Sequence, residues 1–370
     1  MNPAISKKYN INDEINGGVN PRLKKIYTKL EGNNLDAMII SSAANISYLT
    51  GYLSRDSQLV ISRKSNIYLT DGRYFAEAKK YLSGFKLKRR DCSFFKAIGQ
   101  ACNGLNLKRV GFEEGSLSFL GYTRLREQLK RNIDLIPTLN LVESLREIKS
   151  REELTYLGKA TDIAAKALEF TQTLLSAGIR EVEIAAELER FVRYNGASSS
   201  AFDIIVASGL NSSYPHHLTS QRRLKENEVV LVDLGVDYFG YKSDLTRVFF
   251  LGKINPLAAK IYAIVCRAQE RAIARISPGE SISEVDKAAR QYIAKAGYGR
   301  FFSHSLGHGI GLEIHEGPSI SSRVKDKLKR GMVFTVEPAV YLPGKLGIRI
   351  EDMVRVTEKG VEVLSGALDK

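Results

Sequence analysis

Four carboxylates stand in or against stretches that otherwise read as buried strand. Asp233 closes the apolar run Val229-Val230-Leu231-Val232, and Asp244 comes eleven residues later, just ahead of Thr246-Arg247-Val248-Phe249-Phe250. Glu337 lies inside Met332–Val340, and Glu351 follows the alternating Gly347-Ile348-Arg349-Ile350. A carboxylate in an apolar strand is costly to desolvate unless something positive meets it. The strands must therefore give each acid its own partner or gather the acids around a shared cation. A hairpin between Asp233 and Asp244 would set those two side by side. Singly, each acid fits a buried ion pair or a hydrogen-bonded cap; together with a histidine they point to metal.

The chain has only five histidines, in two short windows: His216-His217, then His304, His308 and His315. Imidazole is both a common metal ligand and a proton carrier near neutrality, so this clustering implies a site. His304 and His308 have the spacing of a helical zinc motif. However, Gly307, Gly309 and Gly311 break any helix and the glutamate of HExxH is missing, so a glycine-rich strand or loop is expected. Oxygen-rich ligation with a single imidazole suits two divalent ions, Mn²⁺ first, with Co²⁺, Fe²⁺ or Zn²⁺ as rivals. Four carboxylates neutralise two such ions. Cys92, Cys102 and Cys266 form no CxxC pair and read as buried, inert thiols.

At 370 residues the chain has room for two domains. Residues 1–20, polar and rich in Asn and Gly, are expected to form a loose tail. Over 21–142, a helical pattern from Pro21, strand runs at 37–40, 48–52, 59–61 and 66–69, and a helix at 74–82 predict an α/β domain on a mixed sheet. The second domain, 143–370, opens with a linker over 143–177 that passes into a long helix, whose start is marked by the capping box Ser150-Arg151-Glu152-Glu153. A helix at 181–195 and strands near 204–206, 229–232 and 246–250 follow. Helices at 256–276 and 281–296 come next, then strands at 307–314, 332–341 and 347–356. The class is α/β (α+β), and the repeated order hints at a duplication whose halves share one core.

The net charge is +14, concentrated in residues 1–150 with 25 Lys+Arg against 14 Asp+Glu. No basic helix with interleaved aromatics and no nucleic-acid motif accompanies it. The densest cluster, Lys86, Lys88, Arg89 and Arg90, reads as a solvated face, so no specific nucleic-acid partner is expected. No run approaches the roughly 20 apolar residues of a membrane helix. A secretory signal is not recognisable at Met1–Lys8, which favours the cytoplasm.

The set Pro215-His216, Asp233, Asp244, His304-x-x-x-His308-Gly-x-Gly, His315-Glu316-Gly317-Pro318, Glu337-Pro338 and Glu351 resembles the pita-bread metallopeptidases. Within them it is most similar to the proline-specific branch of aminopeptidase P and prolidase (Xaa-Pro dipeptidase). The match runs through most of 150–370. Asn45-Ile46-Ser47-Tyr48-Leu49-Thr50-Gly51 and Asp71-Gly72-Arg73-Tyr74 resemble that branch's creatinase/prolidase-like N-terminal domain. The resemblance implies that Asp233, Asp244, His308, Glu337 and Glu351 bind two metal ions, with Asp244 and Glu351 bridging. It makes His216, His304 and His315 non-ligand active-site histidines, and Tyr341 and Arg349 supporting residues on the substrate side. His217 has no counterpart role and reads as structural. The implied substrate is a peptide with proline at the second position. The implied assembly is a homodimer or larger, with Gly51–Asp56 near the neighbouring subunit's site.

The chemistry expected of such a site follows from its groups. Two cations lower the pKa of a shared water, Glu337 relays the proton as general base, and a cation with His315 or His216 stabilises the oxyanion. Proline removes the N–H that ordinary proteases hold. Prolidases commonly carry arginine directly after His-Glu-x-Pro, where this chain has Ser319. That favours an aminopeptidase, with the dipeptidase as the alternative through Arg55, Arg222 or Arg323. Methionine aminopeptidases usually lack such an N-terminal domain, and creatinase lacks the metal set. Non-catalytic binding relatives of this fold have lost several ligands, whereas all five positions are filled here.

Overall fold

A computed structural model describes residues 20–366 and 368–370. The tail expected over 1–20 lies, except for Asn20, outside the described residues. The chain divides into two compact units, Met1–Arg146 and Glu147–Lys370.

In the first unit a mixed sheet has the strand order β4-β3-β2-β1-β5-β6. Its strands are β1 (Ala37–Ile40), β2 (Ser57–Ser62), β3 (Ile67–Thr70), β4 (Lys86–Arg89), β5 (Arg109–Glu113) and β6 (Asp134–Thr138). The helices are α1 (Pro21–Gly32), α2 (Ala43–Thr50), α3 (Gly72–Tyr81), α4 (Phe94–Asn103), α5 (Phe119–Gln128) and the short α6 (Glu143–Arg146). β2 runs antiparallel to β1 and β3, while β1–β5, β5–β6 and β3–β4 are parallel. One expectation fails here: residues 48–52 are not a strand. The Ser42 hydroxyl caps α2 by accepting from the Asn45 amide, and Gly51, at φ +67°, ends it in the left-handed conformation a glycine C-cap supplies. The basic cluster at 86–90 is mostly β4 itself, paired with β3.

The second unit holds α7 (Arg151–Leu174), α8 (Glu181–Tyr194), β7 (Ser199–Ser200), β8 (Ile205–Ser208), β9 (Glu228–Leu234), β10 (Val236–Tyr238), β11 (Tyr241–Lys242) and β12 (Leu245–Leu251). Then come α9 (Pro256–Ile273), α10 (Ile282–Lys295), β13 (Gly307–Gly309), β14 (Glu316–Ile320), β15 (Val333–Val336), β16 (Ala339–Leu342), β17 (Leu346–Arg349), β18 (Asp352–Val356) and β19 (Val361–Val363). The Ser150–Glu153 capping box opens α7, the long helix expected within 143–177. Alternation along β9 decides the layering. Val229 and Leu231 pack with α9 and α10 in one apolar cluster, while Val230 and Val232 pack with α7 and α8 in another. The expected single shared core is therefore two cores, one on each face of the strands. Each buried Val, Leu or Ile contributes about 1.5–3 kcal/mol, which is what lets these strands carry charged groups at their ends.

Candidate metal centre

Strand register brings the acids together. In the antiparallel β9–β12 pair Asp233 lies opposite Thr246, and Thr246 also bridges to Glu351, just ahead of β18. Glu337 follows β15, the neighbour of β18 and of β13, which carries His308. The expected strands 332–341 and 347–356 are each split, and the breaks fall at Glu337-Pro338 and Ile350-Glu351. The segment 307–314 is strand only over β13. Both its outer residues must be glycine, since a Cβ at Gly307 would collide with the Thr335 carbonyl and one at Gly309 with that of Gly317.

Asp233, Asp244, His308, Glu337 and Glu351 line a cavity of about 400 Å³ together with Pro215, His216, His304, His315, Ser319, Tyr341 and Arg349. The His308 Nε2 lies 3.6 Å from Asp244 Oδ2 and 3.4 Å from Glu337 Oε1. Candidate ligand atoms of Asp244, His308 and Glu351 all lie within 4.8 Å of one another. Arg349 is the one Arg or Lys of this lining among the described residues. Its guanidinium donates to Asp233 Oδ2 (2.5 Å), the Tyr341 hydroxyl (2.6 Å), Thr246 Oγ1 (3.0 Å) and the Pro215 carbonyl (3.1 Å). Two threonines orient the acids. Thr246 Oγ1 donates to Glu351 Oε2 at 2.6 Å, and Thr335 Oγ1 donates to Glu337 Oε1 at 3.0 Å while accepting from the His308 amide. His304 Nε2 is 3.3 Å from the Tyr341 hydroxyl, and the His315 ring meets that of His308 edge to face, 4.3 Å between centroids.

Without a cation the site resists ionisation. Burial, then the neighbouring acids, pushes Asp244 and Glu351 well above the usual carboxylate range. Glu337 is pushed up to about 7, chiefly by burial. Burial also lowers His304 and His308 to about 4, so these rings are neutral near pH 7, the form in which imidazole ligates metal or accepts a proton. One guanidinium does not balance four carboxylates. Asp233 Oδ1 and Asp244 Oδ1 are buried without a hydrogen-bond partner among the described residues. Such orphans are rare in folded proteins, and facing acids and a neutral imidazole they fit a divalent cation.

Asp233, Asp244, His308, Glu337 and Glu351, with His216, His304, His315, Tyr341 and Arg349, all line the cavity, whereas Arg55, Arg222, Arg323 and His217 do not. Sequence reasoning missed Thr246 and Thr335; their signal was a hydroxyl placed inside an apolar run at even spacing from a catalytic-type acid. It also overstated the burial of the cysteines. Cys102 is buried, while Cys92 and Cys266 are half-buried, and all three are free thiols. No helix among the described residues is long and apolar enough to cross a membrane.

Residues 155–358 match the model of metallopeptidase family M24, and residues 22–148 match the creatinase/prolidase N-terminal domain. The chain is 36% identical to the Xaa-Pro dipeptidase of Pyrococcus horikoshii, over 94% of this chain and 97% of that protein. A solved Xaa-Pro dipeptidase from Bacillus anthracis superposes with TM-score 0.91 at 36% identity, covering 94% of this chain and 98% of that one. An X-Pro aminopeptidase from Thermotoga maritima gives TM-score 0.85 at 35% identity, covering 93% and 97%. With both models matched, both units accounted for and the acids gathered at one cavity, the chain belongs to the pita-bread metallopeptidase family M24 and carries a creatinase/prolidase N-terminal domain.

Proposed function

We propose that Asp233, Asp244, His308, Glu337 and Glu351 hold two divalent ions and that the chain hydrolyses the bond before proline at the N-terminus of a peptide. The observation that carries this is the gathering of four carboxylates, three of them buried, and a neutral imidazole around one guanidinium, with two carboxylate oxygens left unpartnered. Oxygen donors with a single imidazole favour Mn²⁺ over Co²⁺, Fe²⁺ or Zn²⁺. Bound there, the ions supply a nucleophile from water at neutral pH and Lewis-acid polarisation of the carbonyl. The protein's own groups do the rest. Glu337, in the cavity lining, accepts the proton of the attacking water and passes it towards the departing proline nitrogen. His216, His304 and His315 border the reacting carbonyl, with His315 or His216 hydrogen-bonding the oxygen as charge develops. Tyr341 and Arg349 form the wall on the substrate side. A cytoplasmic homodimer or larger assembly completes this reading.

Between the two proline-specific activities, the cavity favours an aminopeptidase. Ser319 lines it where an arginine would hold a dipeptide's free carboxylate, and Arg349 is already committed to Asp233, Tyr341, Thr246 and Pro215. Arg222, another candidate holder, is spent on Glu228. The names of the Pyrococcus and Bacillus relatives favour the dipeptidase instead. Hydrolysis of Xaa-Pro and Xaa-Pro-Yaa peptides with Mn²⁺ separates them. The aminopeptidase reading predicts cleavage of the tripeptide; cleavage confined to the dipeptide reverses the choice. Cleavage of neither by metal-loaded protein refutes proline specificity.

A further inference from the structure

His217, which has no role in the chemistry above, sits at the end of an unusually well-satisfied carboxylate. Glu181 is the first residue of α8 and its side chain is fully buried. Oε1 accepts from the Ser208 amide (2.8 Å), the Ser208 hydroxyl (2.7 Å) and the Asn211 amide group (3.0 Å). Oε2 accepts from His217 Nε2 (3.0 Å), the Ser220 amide (3.1 Å) and the Ser220 hydroxyl (2.6 Å). These hydrogen bonds hold Glu181 below the usual carboxylate range despite its burial, so the carboxylate is ionised and His217 Nε2 carries the proton.

The placement of the donors matters more than their number. Ser208 ends β8, and Ser220 stands where the excursion after β8 returns; Asn211 and His217 lie within it. A single carboxylate thus ties both feet of the loop and the residue next to His216. The opposite side of the loop is held by β17: the Gly347 amide donates to Ser212 Oγ at 2.9 Å, and Arg349 donates to the Pro215 carbonyl at 3.1 Å. The loop is therefore clamped between Glu181 and the strand that carries Arg349, and its one side chain in the cavity besides Pro215 is His216. A loop needed only to close a connection has no use for so many buried polar ties, each costly if left unmet.

We propose that the Glu181–His217 pair is a positioning device that fixes the backbone of His216, so that His216 meets the reacting carbonyl in one orientation. This rests on the assignment of His216 to the substrate side given above. Displacement of a catalytic contact by about 1 Å can cost up to about a hundredfold in rate. His217→Ala, which removes one of the donors, is expected to lower kcat about tenfold with bound metal unchanged. His217→Gln, whose amide can reach the same oxygen as a donor, should restore most of the loss.

The deciding experiment is a double-mutant cycle on Xaa-Pro peptide hydrolysis, with metal content and melting temperature measured for each variant. The proposal predicts that His216→Ala lowers kcat and that adding His217→Ala to it costs little more. Equal losses from His217→Ala in both backgrounds would overturn it and leave the pair a purely structural tie, as would failure of His217→Gln to rescue. An active His216→Ala enzyme would instead sink the assignment of His216 itself, and the positioning role with it. Glu181→Gln, which sets an amide group against several donors, should lose more than His217→Ala. Should that variant fail to fold, the His217 pair alone decides.

Discussion

Asp244→Asn should make the metal-free protein more stable while abolishing its response to metal. In the structure Asp244 is buried, its Oδ1 has no partner among the described residues, and Glu351, Asp233 and Glu337 all oppose its charge. At pH 8 the metal-free protein must either keep that carboxyl protonated against the solvent or carry a charge that nothing balances. An unsatisfied buried group of this kind costs about 1–3 kcal/mol. Asparagine keeps the shape, removes the charge and offers an N–H₂ to the neighbouring acids. In EDTA the variant should therefore gain about 1–3 kcal/mol, at roughly 2–4 °C per kcal/mol for a domain of this size. With metal the order inverts: at a hundred times Kd the wild type gains about 2.7 kcal/mol by mass action, and the variant gains little. Thermal unfolding followed by circular dichroism, in EDTA and in Mn²⁺, reads both. A variant less stable than wild type in EDTA, or one that Mn²⁺ stabilises as much as wild type, would refute the argument that these acids are built for a cation.

Other expectations follow from the same geometry. Glu337→Gln should reduce peptide hydrolysis at least about a hundredfold, the lower end of what general-base catalysis contributes; near-normal steady-state turnover would remove Glu337 from the proton path. Thr335→Val deletes the hydroxyl shared by Glu337 and the His308 amide, and should weaken metal affinity or activity about 10–100-fold; an unchanged calorimetric titration with Mn²⁺ would contradict this. Glu337's contribution to metal-free stability should fall as pH rises, opposing that of His304 and His308, whose lowering to about 4 adds stability over much of the same range. Glu337 has a folded pKa raised to about 7, so the folded state holds a proton the unfolded chain has already released, and folding is penalised progressively from about pH 4.5 to 7. A melting-temperature advantage of Glu337→Gln over wild type in EDTA that does not grow across that window would show that Glu337 is not desolvated as described.

The parts of this architecture written as local pattern were legible in the sequence. Ser150 and Glu153 announce α7, and alternation marks β9 and β12. The four acids and the imidazole stand out because charge in an apolar run has few explanations. What was not legible depends on distant partners. The stretch 48–52 is apolar enough for a strand, and only the Ser42 cap and the left-handed Gly51 decide for helix. The two cores could not be told from one, because which face Val229 or Val230 turns to depends on helices far along the chain. Thr246 looks like an ordinary strand residue until register sets it against Glu351. His217 looked idle because its partner, Glu181, lies 36 residues away on another element.

Anomalous diffraction from crystals grown with Mn²⁺ tests the central claim most directly. Two peaks are predicted inside the cavity, about 3.5–4 Å apart as in two-metal sites, each bounded by carboxylates from Asp233, Asp244, Glu337 and Glu351, with His308 on one of them. A single peak, or peaks bound elsewhere while the cavity holds none, would contradict the dinuclear centre on which the proposed reaction rests.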